Sequence, residues 1–212
     1  LKIGVIPVPL NALLRANEFA FIIGDSQCAG LIYSLEFAEE VEAALEASTW
    51  RPSVVLRLQG GEDALTERAR DAAPELRAVP TRADDDGYWL YSSGTTGRPK
   101  GVVHTHGDLA VCSQLYTVGV LGARESDVFF CVPRLFFSYG LGAAMCAPLW
   151  VGGTTILDER RQTPQTVLEV FRRYSPTLFA AGPTFFARIL AAGGLTRDDV
   201  PRLRRCMSAS GP

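Results

Sequence analysis

The chain has 212 residues, of which 47% are hydrophobic and 21% charged, and its net charge is -2. That is a globular composition, and a nearly balanced charge gives no electrostatic grip on nucleic acid or on a membrane surface. No apolar run reaches the roughly 18 residues that a spanning helix needs, and no charged start with an apolar centre reads as a secretory leader.

Strand-like and helix-like segments alternate along the sequence. "GVIPVPL" reads as a strand, "NEFAFIIGDS" as a helix, "AGLIYS" as a strand and "EFAEEVEAALEAS" as a helix. "SVVLRL" is a further strand, and a short helix is expected near "DALTERARDAA". A polar linker from Ala73 to Gly87 follows; its run Asp84-Asp85-Asp86 reads as a solvated loop. Then come the strand "YWLYS", a Ser/Thr/Gly loop, the strand "GVVHT" and a helix from about Gly107 to Gly122. The alternation continues through "DVFFCV", "SYGLGAAMCAPLWVG", "GTTILD", "TPQTVLEVFRRYS", "TLFAAG", "PTFFARILAAGG" and "LRRCMSAS". Near-continuous apolar strands between helices predict an α/β fold of mostly parallel sheets with helices on both faces. Ligands of such sheets bind beyond the carboxyl ends of the strands.

The five cysteines (Cys28, Cys112, Cys131, Cys146, Cys206) are scattered and odd in number, with no CxxC pair. They are expected to be small buried hydrophobes, and a cytoplasmic location follows from that usage. The chain starts at Leu1 inside an apolar run and stops at "CMSASGP", so it reads as an internal piece of a longer protein.

The stretch "YSSGTTGRPKG", Tyr91 to Gly101, carries the chemistry. Gly94 and Gly97 let backbone N–H groups approach a ligand closely, and Ser92, Ser93, Thr95 and Thr96 add hydroxyl donors. Lys100 adds a mobile cation, so the set suits a nucleotide polyphosphate. Only Lys2 and Lys100 are lysine among 21 Lys plus Arg, and a compact ammonium stands where the phosphate would be. The Walker A pattern fails on spacing: two residues separate the glycines, Lys100 follows Pro99, and Gly101 replaces the metal-binding hydroxyl. A flexible Ser/Gly linker is the plainer alternative, opposed by the apolar strands on either side.

These eleven residues resemble the phosphate-binding signature of the adenylate-forming superfamily: acyl- and aryl-CoA synthetases, luciferases and adenylation domains. "LKIGVIPVPLNALL", "GPTFFARIL" and "LRRCMSASGP" are similar to its flanking segments, so nearly the whole chain is covered. The resemblance implies part of the large N-terminal domain. Residues 1–80 would end one α/β subdomain, and 81–212 would hold the phosphate loop and begin the next. The rest of that domain and the small C-terminal domain lie outside this chain, and the piece alone is expected to be inactive.

"PRLFFSYGLG", Pro133 to Gly142, is similar to the acyl-pocket segment of benzoate–CoA ligases. By that likeness Tyr139 walls the pocket with Ser138 beside it, whose hydroxyl suits a hydroxy- or amino-substituted ring. Phe136 and Phe137 read as core aromatics. "SASG", with Ala209, Ser210 and Gly211, is similar to a strand end lining the aryl pocket. The implied activity is ATP-dependent aryl-acid CoA ligation, in the service of aromatic degradation, through an acyl-adenylate that forms aryl-CoA, AMP and pyrophosphate. Lys100 would be catalytic, and Ser92 to Gly97 would bind nucleotide. ATP and Mg2+ are the implied cofactors, coenzyme A the co-substrate and a small aromatic carboxylic acid the partner. Nucleic acid and membrane are not expected, and a homodimer is compatible with this reading. An adenylation domain loading a carrier protein and a non-catalytic nucleotide-binding module are the alternatives. His104 and His106 share a strand face by their spacing, with no third ligand for a metal. They are expected to support the loop or cap the helix near Gly107.

Overall fold

The computed structural model describes residues 1–60, 64–92 and 98–209, and the chain divides into two compact units. The first comprises Leu1–Thr81 with Gly87–His104, the second Arg82–Asp86 with Thr105–Pro212.

In the first unit, α1 (Ala16–Ser26) and α2 (Ala38–Ala47) pack on each other and against β1 (Gly30–Tyr33), which pairs parallel with β2 (Val54–Arg57). Phe19 and Ile23 stand one helical turn apart on α1, as Val41 and Ala44 do on α2, and with Tyr33 they form the core. Glu40 accepts hydrogen bonds from Arg15 Nη1 at 2.9 Å and from the Ala16 N–H at 2.7 Å, fastening the start of α1 to α2. The expected short helix forms only as α3 (Leu65–Arg68). Residues 4–10 form no strand, contrary to expectation. Pro7 and Pro9 have no N–H to donate to a ladder, although the Pro7 carbonyl still accepts the Trp89 N–H at 3.1 Å. Strands β3 (Asp86–Ser92) and β4 (Lys100–Thr105) pair as a two-stranded sheet.

The second unit is built on β5 (Val128–Cys131), β6 (Thr154–Ile156), β7 (Leu178–Ala181) and β8 (Arg205–Ser208). All neighbours are parallel, in the order β6-β5-β7-β8. Successive strand residues face opposite sides, and each side is filled differently. Phe130, Phe179 and Ala181 meet Val167, Val170 and Phe171 of α7 (Pro164–Tyr174) and Phe185 and Ile189 of α8 (Pro183–Ala191). Phe129, Leu178, Ala180 and Met207 meet Leu121, Ala123 and Ala147. The aromatic rings of Phe171 and Phe179 meet edge to face with centroids 5.2 Å apart, a geometry that adds about 0.5–1.5 kcal/mol to their burial. Parallel strands covered on both faces are therefore what the apolar runs produced.

Among the described residues, two helices contain π-helical stretches. The helix after β4 begins as α4 (His106–Cys112) and continues as a π-helical stretch over Ser113–Val120, where the Leu121 N–H reaches back to the Tyr116 carbonyl. The second runs as α5 (Ser138–Leu141), a π-helical turn over Gly142–Cys146 and α6 (Ala147–Val151). Pro148 explains the wide turn. Its ring would collide with the carbonyl four residues back, and the Ala147 N–H instead donates to Gly142, five back. Among the described residues, no helix is long and apolar enough to cross a membrane.

Candidate active site

The β3–β4 pair carries the two described ends of the Ser/Thr/Gly loop. Ser92 closes β3 and Lys100 opens β4, and both side chains are exposed. Ser93, Gly94, Thr95, Thr96 and Gly97 lie outside the described residues. Gly101 follows Lys100, and any Cβ there would stand 3.2 Å from Cζ of Tyr91, so a side chain at this position would crowd the tyrosine ring. The Tyr91 hydroxyl donates to Asp25 Oδ2 on α1 at 2.6 Å. Desolvation first, and then that carboxylate, push the Tyr91 phenol above its ordinary pKa. On the far side of the loop, the Arg98 guanidinium sits 5.9 Å from the Phe21 ring centroid, also on α1.

The two histidines part company. His104 stacks on Tyr88 across β3 and β4, with ring centroids 4.7 Å apart and planes 10° from parallel, supporting the strand pair. His106 is already helical, because β4 ends at Thr105. The cap of α4 is Thr105 itself: Oγ1 accepts the Asp108 N–H at 3.3 Å, and Asp108 Oδ2 accepts the Thr105 N–H at 3.0 Å.

In the second unit the segment Pro133 to Gly142 folds back after β5, at the carboxyl edge of the sheet. Gly140 is required there: an added Cβ would lie 2.0 Å from the Arg134 carbonyl oxygen. Arg134 in turn donates from Nη1 to the Glu159 carbonyl at 3.0 Å and from Nη2 to the Arg160 carbonyl at 3.2 Å, tying the segment to the chain after β6. Tyr139 is half-buried, and its hydroxyl donates to the Met207 carbonyl at 2.7 Å, with the Ala181 carbonyl at 3.4 Å. It thus joins α5 to the ends of β7 and β8. Desolvation is the main cause that raises its pKa, so the phenol stays a neutral donor. Ser138 is exposed at the first turn of α5, and Ala209 is exposed just past β8. Ser210 and Gly211 lie outside the described residues.

Some expectations change. Phe136 is only half-buried and Phe137 is exposed, the two rings packing on each other at 4.6 Å rather than in a core. All five cysteines are free, but none is fully buried: Cys28, Cys131 and Cys146 are half-buried, and Cys112 and Cys206 are exposed. Burial pushes the Cys131 thiol up to about 12, so at neutral pH it is no nucleophile. Sequence reasoning missed Asp25, Phe21 and Arg134, whose partners are remote in the chain or are backbone carbonyls that leave no mark on composition. It also missed Asp127, which accepts from Thr177 Oγ1 at 2.7 Å and pairs with Arg204 at the amino ends of the strands.

The family model for the AMP-binding enzyme matches residues 1–212. The chain belongs to this family. It is 39% identical over 209 residues to a benzoate–CoA ligase of Thauera aromatica, covering 99% of this chain and 40% of that protein. A benzoate CoA ligase from Burkholderia xenovorans LB400 superposes with a TM-score of 0.84 at 35% identity, over 97% of this chain and 40% of its own. An anthranilate CoA ligase determined in complex with anthranoyl-AMP gives a TM-score of 0.88 at 33% identity, over 99% and 40% of the two chains. The chain spans about 40% of the length of the relatives it matches, and its fold is that of part of their N-terminal domain.

Proposed function

We propose that the protein carrying this chain is an ATP-dependent aryl-acid CoA ligase that works through an acyl-adenylate. The likeness of the entire chain to benzoate–CoA ligases carries this reading, and Ser92 and Lys100 on paired strand ends fit it. A carboxylate attacks the α-phosphorus of ATP and pyrophosphate leaves; coenzyme A then attacks the acyl carbon and AMP leaves. Lys100 faces the departing charge as a point cation, with Ser92 as a neutral donor beside it, which is electrostatic stabilisation without covalent catalysis. No group of three potential metal ligands gathers among the described residues, and Mg2+ would enter with the nucleotide's phosphates. Tyr139 supplies an aromatic wall for a flat acid, and Ser138 a hydroxyl for a ring substituent.

The test is a pair of single-turnover measurements on the whole enzyme. Lys100→Ala slows adenylation from ATP by about a hundredfold or more and leaves thioester formation from preformed aryl-AMP much less affected. Equal losses in the two half-reactions would contradict the assignment. Pyrophosphate release across a panel of substituted benzoates then identifies the acid.

A further inference from the structure

We infer that α1 sets the spacing of the two loop ends, with Asp25 and Phe21 as positioning residues for the nucleotide step. The inference rests on the reading of Lys100 as a polyphosphate contact. A two-stranded sheet is marginal in water on its own, and most of β4 is exposed. Its ends therefore need an outside support, and α1 supplies one on each side of the loop. Tyr91, immediately before Ser92, is fixed through its hydroxyl to Asp25 at 2.6 Å. Arg98, two residues before Lys100, lies over Phe21 at 5.9 Å. Phe21 and Asp25 are four residues apart on a helix, so one face of α1 makes both ties. The Tyr91 ring closes the frame by packing against Gly101, the neighbour of Lys100. Helix α1 is itself held through Phe19 and Ile23 in the core of its unit and through Glu40 at its first turn. A charged acceptor makes the Tyr91 tie the stronger of the two, and the arginine–ring contact the weaker.

This frame predicts a defect confined to ATP. In the full-length enzyme, Asp25→Ala and Tyr91→Phe each raise KM for ATP and slow single-turnover adenylation by about tenfold, whereas Asp25→Asn, which keeps an acceptor, recovers most of the loss. The double variant is no worse than either single one, because both remove the same bond. The acid's KM, thioester formation from preformed aryl-AMP and the thermal midpoint stay near wild type. Adenylation within about twofold of wild type in both single variants overturns the inference, as does an equal fall in both half-reactions with a lowered midpoint. Lys100→Ala, run in parallel, separates the two levels of the argument. If it abolishes adenylation while Asp25→Ala and Tyr91→Phe do not, only the role of α1 fails. If it too leaves adenylation intact, the phosphate reading fails with it.

Discussion

Strand β7 is apolar throughout and β4 carries Val102 and Val103 at its centre, yet the two sets of apolar side chains meet opposite surroundings. Every residue of β7 is buried, at 0% or 1% exposure, between two helical layers. On β4, Val102 and Val103 are 45% and 46% exposed, and order comes from a few ties: the Tyr88–His104 stack, the Thr105 cap and the contacts of α1. Stability is concentrated where side chains interdigitate, and the proposed chemistry sits where a strand pair is held by points. Substitutions in the first place should cost folding, and in the second they should cost turnover.

The sharpest test of that contrast is Phe179→Ala, which removes a ring touching Phe130, Phe171 and Phe186. It should destabilise the protein by about 4 kcal/mol in urea denaturation, against about 0.5 kcal/mol or less for Val103→Ala. Comparable losses at the two positions would erase the distinction. Next comes the pair at the amino ends of the sheet. Arg204→Met leaves Asp127 buried without its cation and should cost about 2–3 kcal/mol, less than a fully buried pair because the Arg204 side chain is 30% exposed. Burial acts to raise the Asp127 pKa, but hydrogen bonds from Arg204, Thr177 and the Arg124 N–H outweigh it and hold the carboxyl below its ordinary value. The stabilisation is therefore complete above about pH 4, the unfolded value, and is lost as pH falls through the lower folded one. Wild type should lose more stability on acidification than Arg204→Met, and parallel pH profiles would exclude Asp127 as the titrating group. A smaller effect than at Arg204 is expected at the end of β4, where Thr105→Ala removes the α4 cap for about 1 kcal/mol and Thr105→Ser restores most of it, read from thermal midpoints.

Most of the α/β alternation was legible because a parallel sheet covered on both faces imposes unbroken apolar runs, as in "DVFFCV" and "TLFAAG". The misreading of residues 4–10 came from weighing apolar content above Pro7 and Pro9, which remove the donors a strand needs. The π-helical winding after Cys112 left no periodic signature, since a change of one residue per turn over a short stretch barely moves the apolar pattern. Of the candidate site, the loop ends can be read from residue type and spacing, whereas Tyr139 is singled out only by the resemblance of "PRLFFSYGLG" to benzoate–CoA ligases and would otherwise read as a core aromatic. What was hidden is long-range: Asp25 meets a tyrosine 66 positions away, and the Tyr139 hydroxyl meets a backbone carbonyl 68 positions away, contacts that only folding creates.

On the proposed role of Tyr139 as a wall of the acid pocket, its bond to Met207 bears on any redesign of specificity. Trimming that tyrosine to admit a bulkier ring would also unfasten α5 from the end of β8, so gained volume would come with a loosened wall. Ser138, exposed one position earlier, offers a site where size and polarity can be varied while that fastening stays intact.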